Sequence, residues 1–214
     1  MSVLLNPHMS FPAAGGGDGF PAVRATSTSV SVGTTTHTFD IPSGSTGDLV
    51  VVFAMRDSTS TSITPPADFT DETTNTVAQC FWWIADDSRT TDSFTSGSNR
   101  DMCHHVYRIE AGTFNTTTPM EFDGPDTNTT DPPSLSPSWG SAKTLWICGA
   151  RSRTNTTVTG VPTDYADELE NVANADVTMG SARRTNEASS EDPAAWSFAS
   201  SSVPTAWTAA IQPA

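Results

Sequence analysis

The chain has 214 residues, with ten basic side chains against 24 acidic ones and a net charge of −14. That balance leaves no basic stripe to displace counterions from a nucleic acid and no cationic patch for anionic lipid, so neither partner is expected. Strong Ser/Thr enrichment, a single Lys (Lys143) and short apolar runs disfavour helices, and three cysteines (Cys80, Cys103, Cys148) form no complete disulfide framework.

Residues 1–21 read as an extended N-terminal arm. Apolar tips at Leu4, Leu5 and Phe11 precede Gly15-Gly16-Gly17-Asp18-Gly19, which cannot hold regular structure unaided, and Phe20 follows. The arm has no basic n-region and is not expected to be a secretory signal. A neighbouring subunit is expected to hold it.

A single domain is expected over residues 22–214. Thr26 to Ile41 alternates like a half-buried strand, and Asp48 to Met55 is a continuous apolar strand of the doubly buried kind. Gln79 to Ala85 and His104 to Ala111 read as two further strands. Residues 123–140, with Pro125, Pro132, Pro133 and Pro137, read as a stiff crossover. Beyond it, strands are expected at Lys143 to Ala150, Thr156 to Val161, Val177 to Arg184 and Ala206 to Gln212, with one or two helical turns within Tyr165 to Ala173. No segment reaches the ~18–20 apolar residues of a membrane-spanning helix.

The chain says one thing twice. Leu49 to Glu72 reappears without a gap, 96 positions on, as Leu145 to Glu168, with seven of 24 positions identical where chance gives roughly two. The identities lie mostly in turns and acids (Pro66/Pro162, Asp68/Asp164, Asp71/Asp167, Glu72/Glu168), whereas apolar positions drift, as in Phe53 against Gly149. Ile211 matches Ile109 at an offset of 102. Two related four-stranded halves, about 40–111 and 135–214, therefore predict an all-β antiparallel sandwich, jelly-roll-like or immunoglobulin-like, in which each half packs on its twin.

Chemistry is sparse. Asp86, Asp87 and Asp92 follow one strand, and Asp123, Asp126 and Asp131 sit in the proline loop without the spacing of a calcium loop. Cys103, His104 and His105 offer at most two ligands on one strand face. Gly140-Ser141-Ala142-Lys143-Thr144 lacks the glycine and the helix of a phosphate loop, and no Gly-x-Ser-x-Gly elbow occurs. No catalytic, cofactor or metal residue is assigned, and an enzyme is not expected. The aromatic strands carry more weight. Phe81 and Trp83 face one way and Trp82 and Ile84 the other, so both faces are apolar, and Trp146 raises the same question in the second copy. Either the chain covers the outer face itself, or a subunit contact does, or a sugar stacks there. Leu4, Leu5, Phe11, Phe20, Trp82, Trp83 and Trp146 are the interface candidates.

The stretches Pro132-Pro133-Ser134-Leu135-Ser136-Pro137-Ser138-Trp139-Gly140, Pro162-Thr163-Asp164-Tyr165 and Glu191-Asp192-Pro193, with Thr64-Pro65-Pro66-Ala67-Asp68-Phe69 in the first half, resemble a domain of virion structural proteins of tailed bacteriophages, many of them marine. The resemblance covers roughly residues 26–214 and departs at Asp68 and Asp164, where the family often has Gly or an Asn-like residue. It implies a structural, non-enzymatic role without a cofactor. The expected protein is a capsid decoration (cement) protein on the outer surface of the phage head, a homotrimer whose partners are the major capsid protein and its own copies. The alternative is a tail-fibre or tail-tip module that recognises a host glycan.

Overall fold

The structure, a computed structural model, describes residues 19–58, 63–72, 78–86, 89–174 and 176–214. Its strands are β1 (Val23–Asp40), β2 (Leu49–Arg56), β3 (Ile63–Thr64), β4 (Thr70–Asp71), β5 (Ala78–Ile84), β6 (Thr91–Ile109), β7 (Met120–Thr127), β8 (Ala142–Ser152), β9 (Val158–Gly160), β10 (Ala166–Ala173), β11 (Val177–Ala188), β12 (Ser197–Phe198) and β13 (Thr205–Ile211). Among the described residues there is no helix. The helical turns expected within Tyr165 to Ala173 are instead β10. Its charged residues lie on an edge strand, where Asp167, Glu168 and Glu170 face solvent and deter further pairing.

Each half of the chain builds one sheet. The first has the order β1-β6-β2-β5-β4, with β3 also on β6, and the second reads β7-β13-β8-β11-β10 from its far edge. The strand order is thus the same in both, with β2 and β8 central. Register agrees as well: Leu49 lies opposite Ile109 on β6, and Leu145 lies opposite Ile211 on β13. The halves hold more than four strands each, for two reasons. The edge strand β7 occupies the start of what reads as a proline crossover, and β1 supplies its counterpart in the first sheet. Pro125 fits there because an edge strand leaves one side of its ladder without partners.

The sheets pack face to face as an antiparallel β-sandwich. Inward residues of both, among them Leu49, Val51, Phe53, Leu145, Ile147, Trp207 and Ile211, form one core. Phe53 and Gly149, equivalent positions that differ most in size, meet through Trp207. Its ring stacks on Phe53 at 4.0 Å and 13° and fills the space above Gly149, where an added Cβ would come 2.6 Å from Cε2.

Each sheet also has a second, outer core. Over the first sheet, the far parts of β1 and β6 fold back, as the 2.6 Å bond from Ser27 Oγ to the Asp40 carbonyl shows, and lay Phe39 and Phe94 on Val50, Val52 and Phe81. Over the second sheet, Leu135 and Glu191 exchange backbone hydrogen bonds of 2.9 Å and Trp196 N donates to the Thr130 carbonyl. These segments cover Trp146, Cys148 and Ala150. The Pro132 to Gly140 and Glu191 to Pro193 stretches that carry the family resemblance are therefore partners in one cover.

Candidate functional site

The tryptophans on the central strands are spoken for by the chain itself. Trp146 is 0% exposed, its indole donating to the Asn186 carbonyl at 3.3 Å. Trp83 is 5% exposed, packed on Phe69 and under the Arg89 guanidinium at 4.3 Å. Trp82 points into the inter-sheet core and is half-buried, with Nε1 donating to Glu72 at 2.7 Å. Of the three accounts of these apolar faces, same-chain covering describes Trp83 and Trp146, and neither offers a free surface for a subunit or a sugar. Leu4, Leu5 and Phe11 lie outside the described residues.

Phe20 is the remaining candidate, and it lines a cavity of about 500 Å³. The cavity sits where the N-terminal segment meets the second sheet. Phe20, Val23 and Leu145 give it apolar walls, and Asp164, Asp167, Arg183 and Arg184 give it charged ones. Asp164 and Asp167 hold φ of 69° and 53°, left-handed conformations that Asp tolerates better than most residues. Arg183 pairs with Asp167 at 2.8 Å, and Arg184 pairs with Glu191 at 2.9 Å and Asp164 at 3.9 Å. In the first half the equivalent Asp68 pairs with Arg89 at 3.1 Å. The repeated turn acids thus have a shared physical role: each fixes an Arg beside an aromatic ring, Trp83 in one half and Tyr165 in the other.

A serine, a histidine and an amide line up as they would in a catalytic relay, sealed inside. Ser181 Oγ lies 2.6 Å from His105 Nδ1, and His105 Nε2 lies 3.0 Å from Asn171 Oδ1. The neutral ring donates from Nε2 to Asn171 and accepts at Nδ1 from the serine hydroxyl, which in turn accepts from Tyr107 at 2.8 Å. Asn171 Nδ2 donates to the Ser29 carbonyl at 2.7 Å, so the chain of bonds ties the second sheet to β1. Ser181, His105 and Tyr107 are fully buried between the sheets, beyond the reach of a substrate. Burial drives His105 down to about 3 against the opposing bond from Asn171. It drives His104 to about 3 and His37 to about 4, helped by neighbouring positive charge or ring. The thiols go the other way: burial pushes Cys103 up to about 12 and raises Cys80 and Cys148 strongly. Among the described residues no three His, Cys, Asp or Glu side chains gather closely enough to hold a metal ion.

Sequence singles out none of the buried charged groups Asp48, Arg56, Arg108 and Arg151, and two of them differ most in how they are served. Asp48 opens β2 and accepts from Ser45 N (2.7 Å), Arg108 Nε (2.9 Å), Ala111 N and Arg24 Nε (both 3.0 Å). Burial alone would raise its pKa, but these donors outweigh it and hold the carboxyl below its usual range. Arg151 is the other, a cation at the inward parity of β8 after Leu145, Ile147 and Gly149. That alternation was the available signal. No protein-family model, curated protein or solved structure matches this chain.

Proposed function

We propose that the protein is a structural component of a tailed-phage virion and, within that, a decoration protein that clamps the outer surface of the head. The family resemblance of residues 26–214 supports the virion reading. The observation that carries the decoration reading is that both sheets are roofed by the chain's own segments, while Phe20 to Val23 line a cavity beside the second sheet. Such a domain has its sheet faces covered, so its contacts with a lattice would come from its edges and from residues 1–21. Many weak, symmetry-repeated contacts then act together, with homotrimers binding the major capsid protein. The acidic exterior suits a surface turned away from the packaged genome.

Purified full-length chain added to undecorated capsids tests this. Saturable, stoichiometric binding with a raised capsid melting temperature is expected, and removal of residues 1–18 abolishes binding while the domain stays folded. Binding to host cells or their glycans, with none to capsids, would refute the decoration reading and favour the tail module.

A further inference from the structure

Arg151 is 0% exposed, and none of its three guanidinium nitrogens has a hydrogen-bond partner. Among the described residues no aromatic ring stacks on it. Its neighbours repeat the defect. Thr205, directly opposite on β13 and therefore on the same sheet face, has a buried hydroxyl without a partner. Trp207, the next inward residue of β13, has a buried indole N–H without one, and its ring lies over Gly149, the inward residue just before Arg151. A guanidinium, a hydroxyl and an indole can all donate, and no acceptor serves them.

The surrounding charge is mostly of the same sign, with Asp57 as the exception. In a chain with ten basic residues, four gather at this end of the sandwich: Arg56, Arg100, Arg151 and Arg153. Burial and the positive charges of Arg153 and Arg56 pull Arg151 down to about 9, against a smaller opposing effect of Asp57. Asp57 is the neighbouring carboxylate; its Oδ1 lies 3.9 Å from Arg100 Nε and is itself buried without a hydrogen-bond partner. Proteins do not leave a buried guanidinium unserved, because the cost of desolvating the charge is then offset by nothing.

We infer that Arg151, Thr205 and Trp207 form an anion site between the two sheets that takes a small tetrahedral oxyanion, phosphate or sulfate. A planar carboxylate would be satisfied by the guanidinium fork alone, whereas donors of three kinds on two strands suit an oxyanion with several faces. Arg153, exposed just past the end of β8, marks the nearby surface and adds attraction from solvent. The ion would neutralise the buried Arg151 charge and lock β8 to β13.

The test is thermal unfolding of the full chain in inorganic phosphate, in sulfate and in chloride at matched ionic strength, with isothermal titration of phosphate. The wild type should gain melting temperature saturably in phosphate, beyond the general salting effect. Arg151→Met should lose that gain and, in chloride, melt no lower than the wild type, since it removes an unserved charge. Thr205→Val, which keeps the fold's volume and the cation, should weaken phosphate binding about 3–10-fold, the loss of one hydrogen bond; it serves alone if Arg151→Met does not fold. A sulfate response equal to that of phosphate marks a general oxyanion site, and a weaker one marks phosphate preference. Equal responses of wild type and Arg151→Met, or no saturable response in the wild type, overturn the assignment and leave bound water as the acceptor.

Discussion

Substituting Gly149 by Ala is the sharpest probe of how the two halves fit. The added Cβ would stand 2.6 Å from Trp207 Cε2, closer still to Cζ2, and 2.7 Å from the Gly180 carbonyl oxygen. The ring cannot retreat, because Phe53 stacks on its other face at 4.0 Å and Phe122 packs at 6.2 Å. Burying one more methyl gains about 0.8 kcal/mol, but overpacking a filled core costs about 1–3 kcal/mol, occasionally more. With both flanks closed the upper end applies, and a net loss of about 2 kcal/mol is expected. Equilibrium urea unfolding measures it as a lower midpoint at unchanged slope. Trp207→Ala alone should cost about 3–5 kcal/mol through the cavity it leaves. Added to Trp207→Ala, Gly149→Ala should cost clearly less than it does in the wild type, because the ring is gone and only the 2.7 Å approach to the Gly180 carbonyl oxygen remains. A Gly149→Ala variant within about 0.5 kcal/mol of wild type, or strict additivity of the pair, would refute the lock between Phe53, Trp207 and Gly149.

Acid should unfold the protein early. His37, His104 and His105 are held neutral with folded pKa values of about 3 to 4, below the unfolded value of 6.5. Their stabilisation is complete above about pH 6.5 and erodes as pH falls toward 3–4. At pH 5 each costs about 2 kcal/mol, together a large part of a typical 5–15 kcal/mol. Equal urea midpoints at pH 7.5 and pH 5 would contradict this. Asp48→Asn should destabilise by about 3 kcal/mol in the same assay, since it leaves the buried Arg108 without its carboxylate; a loss below about 0.5 kcal/mol would count against the clamp. Thiol reagents should leave Cys80, Cys103 and Cys148 unmodified in the native state and label all three in urea, because burial keeps each thiol protonated and out of reach. Rapid native labelling of any of them would contradict the packing around it. Trp196→Ala should cost about 3–5 kcal/mol by unroofing Trp146 and Cys148, read as a fall in urea midpoint; an unchanged midpoint would show that the cover is dispensable.

Much of the scaffold was legible because repeats and strand parity are local signals. The 96-residue offset places β2 on β8 and carries β3 and β4 into β9 and β10. The Ile109/Ile211 match anticipates the register of the strands beside them. The alternation of Phe81, Trp82, Trp83 and Ile84 assigned each ring to its face, but what covered the outer face was not local. The roofs come from the folded-back parts of β1 and β6 in one half and from residues about 130–139 and 189–198 in the other, far from the strands they cover. The sequence of β10 suggests helical turns because edge strands carry charges that mask the period-two signal. For the site, Phe20 was named but its charged partners were not. Asp164 and Asp167 stood out as repeated identities, while Arg183 and Arg184 reach them only through strand pairing. Asp48 opens one expected strand and Arg151 follows the end of another, and only three-dimensional closure shows that they are buried.

An image of the intact virion, at a resolution that separates the strands of the sandwich, tests the central claim most directly. The account predicts copies of this two-sheet density repeated by symmetry over the outer surface of the head, each with its N-terminal segment running to a neighbour. Density confined to the tail, or no such density anywhere on the particle, would contradict it.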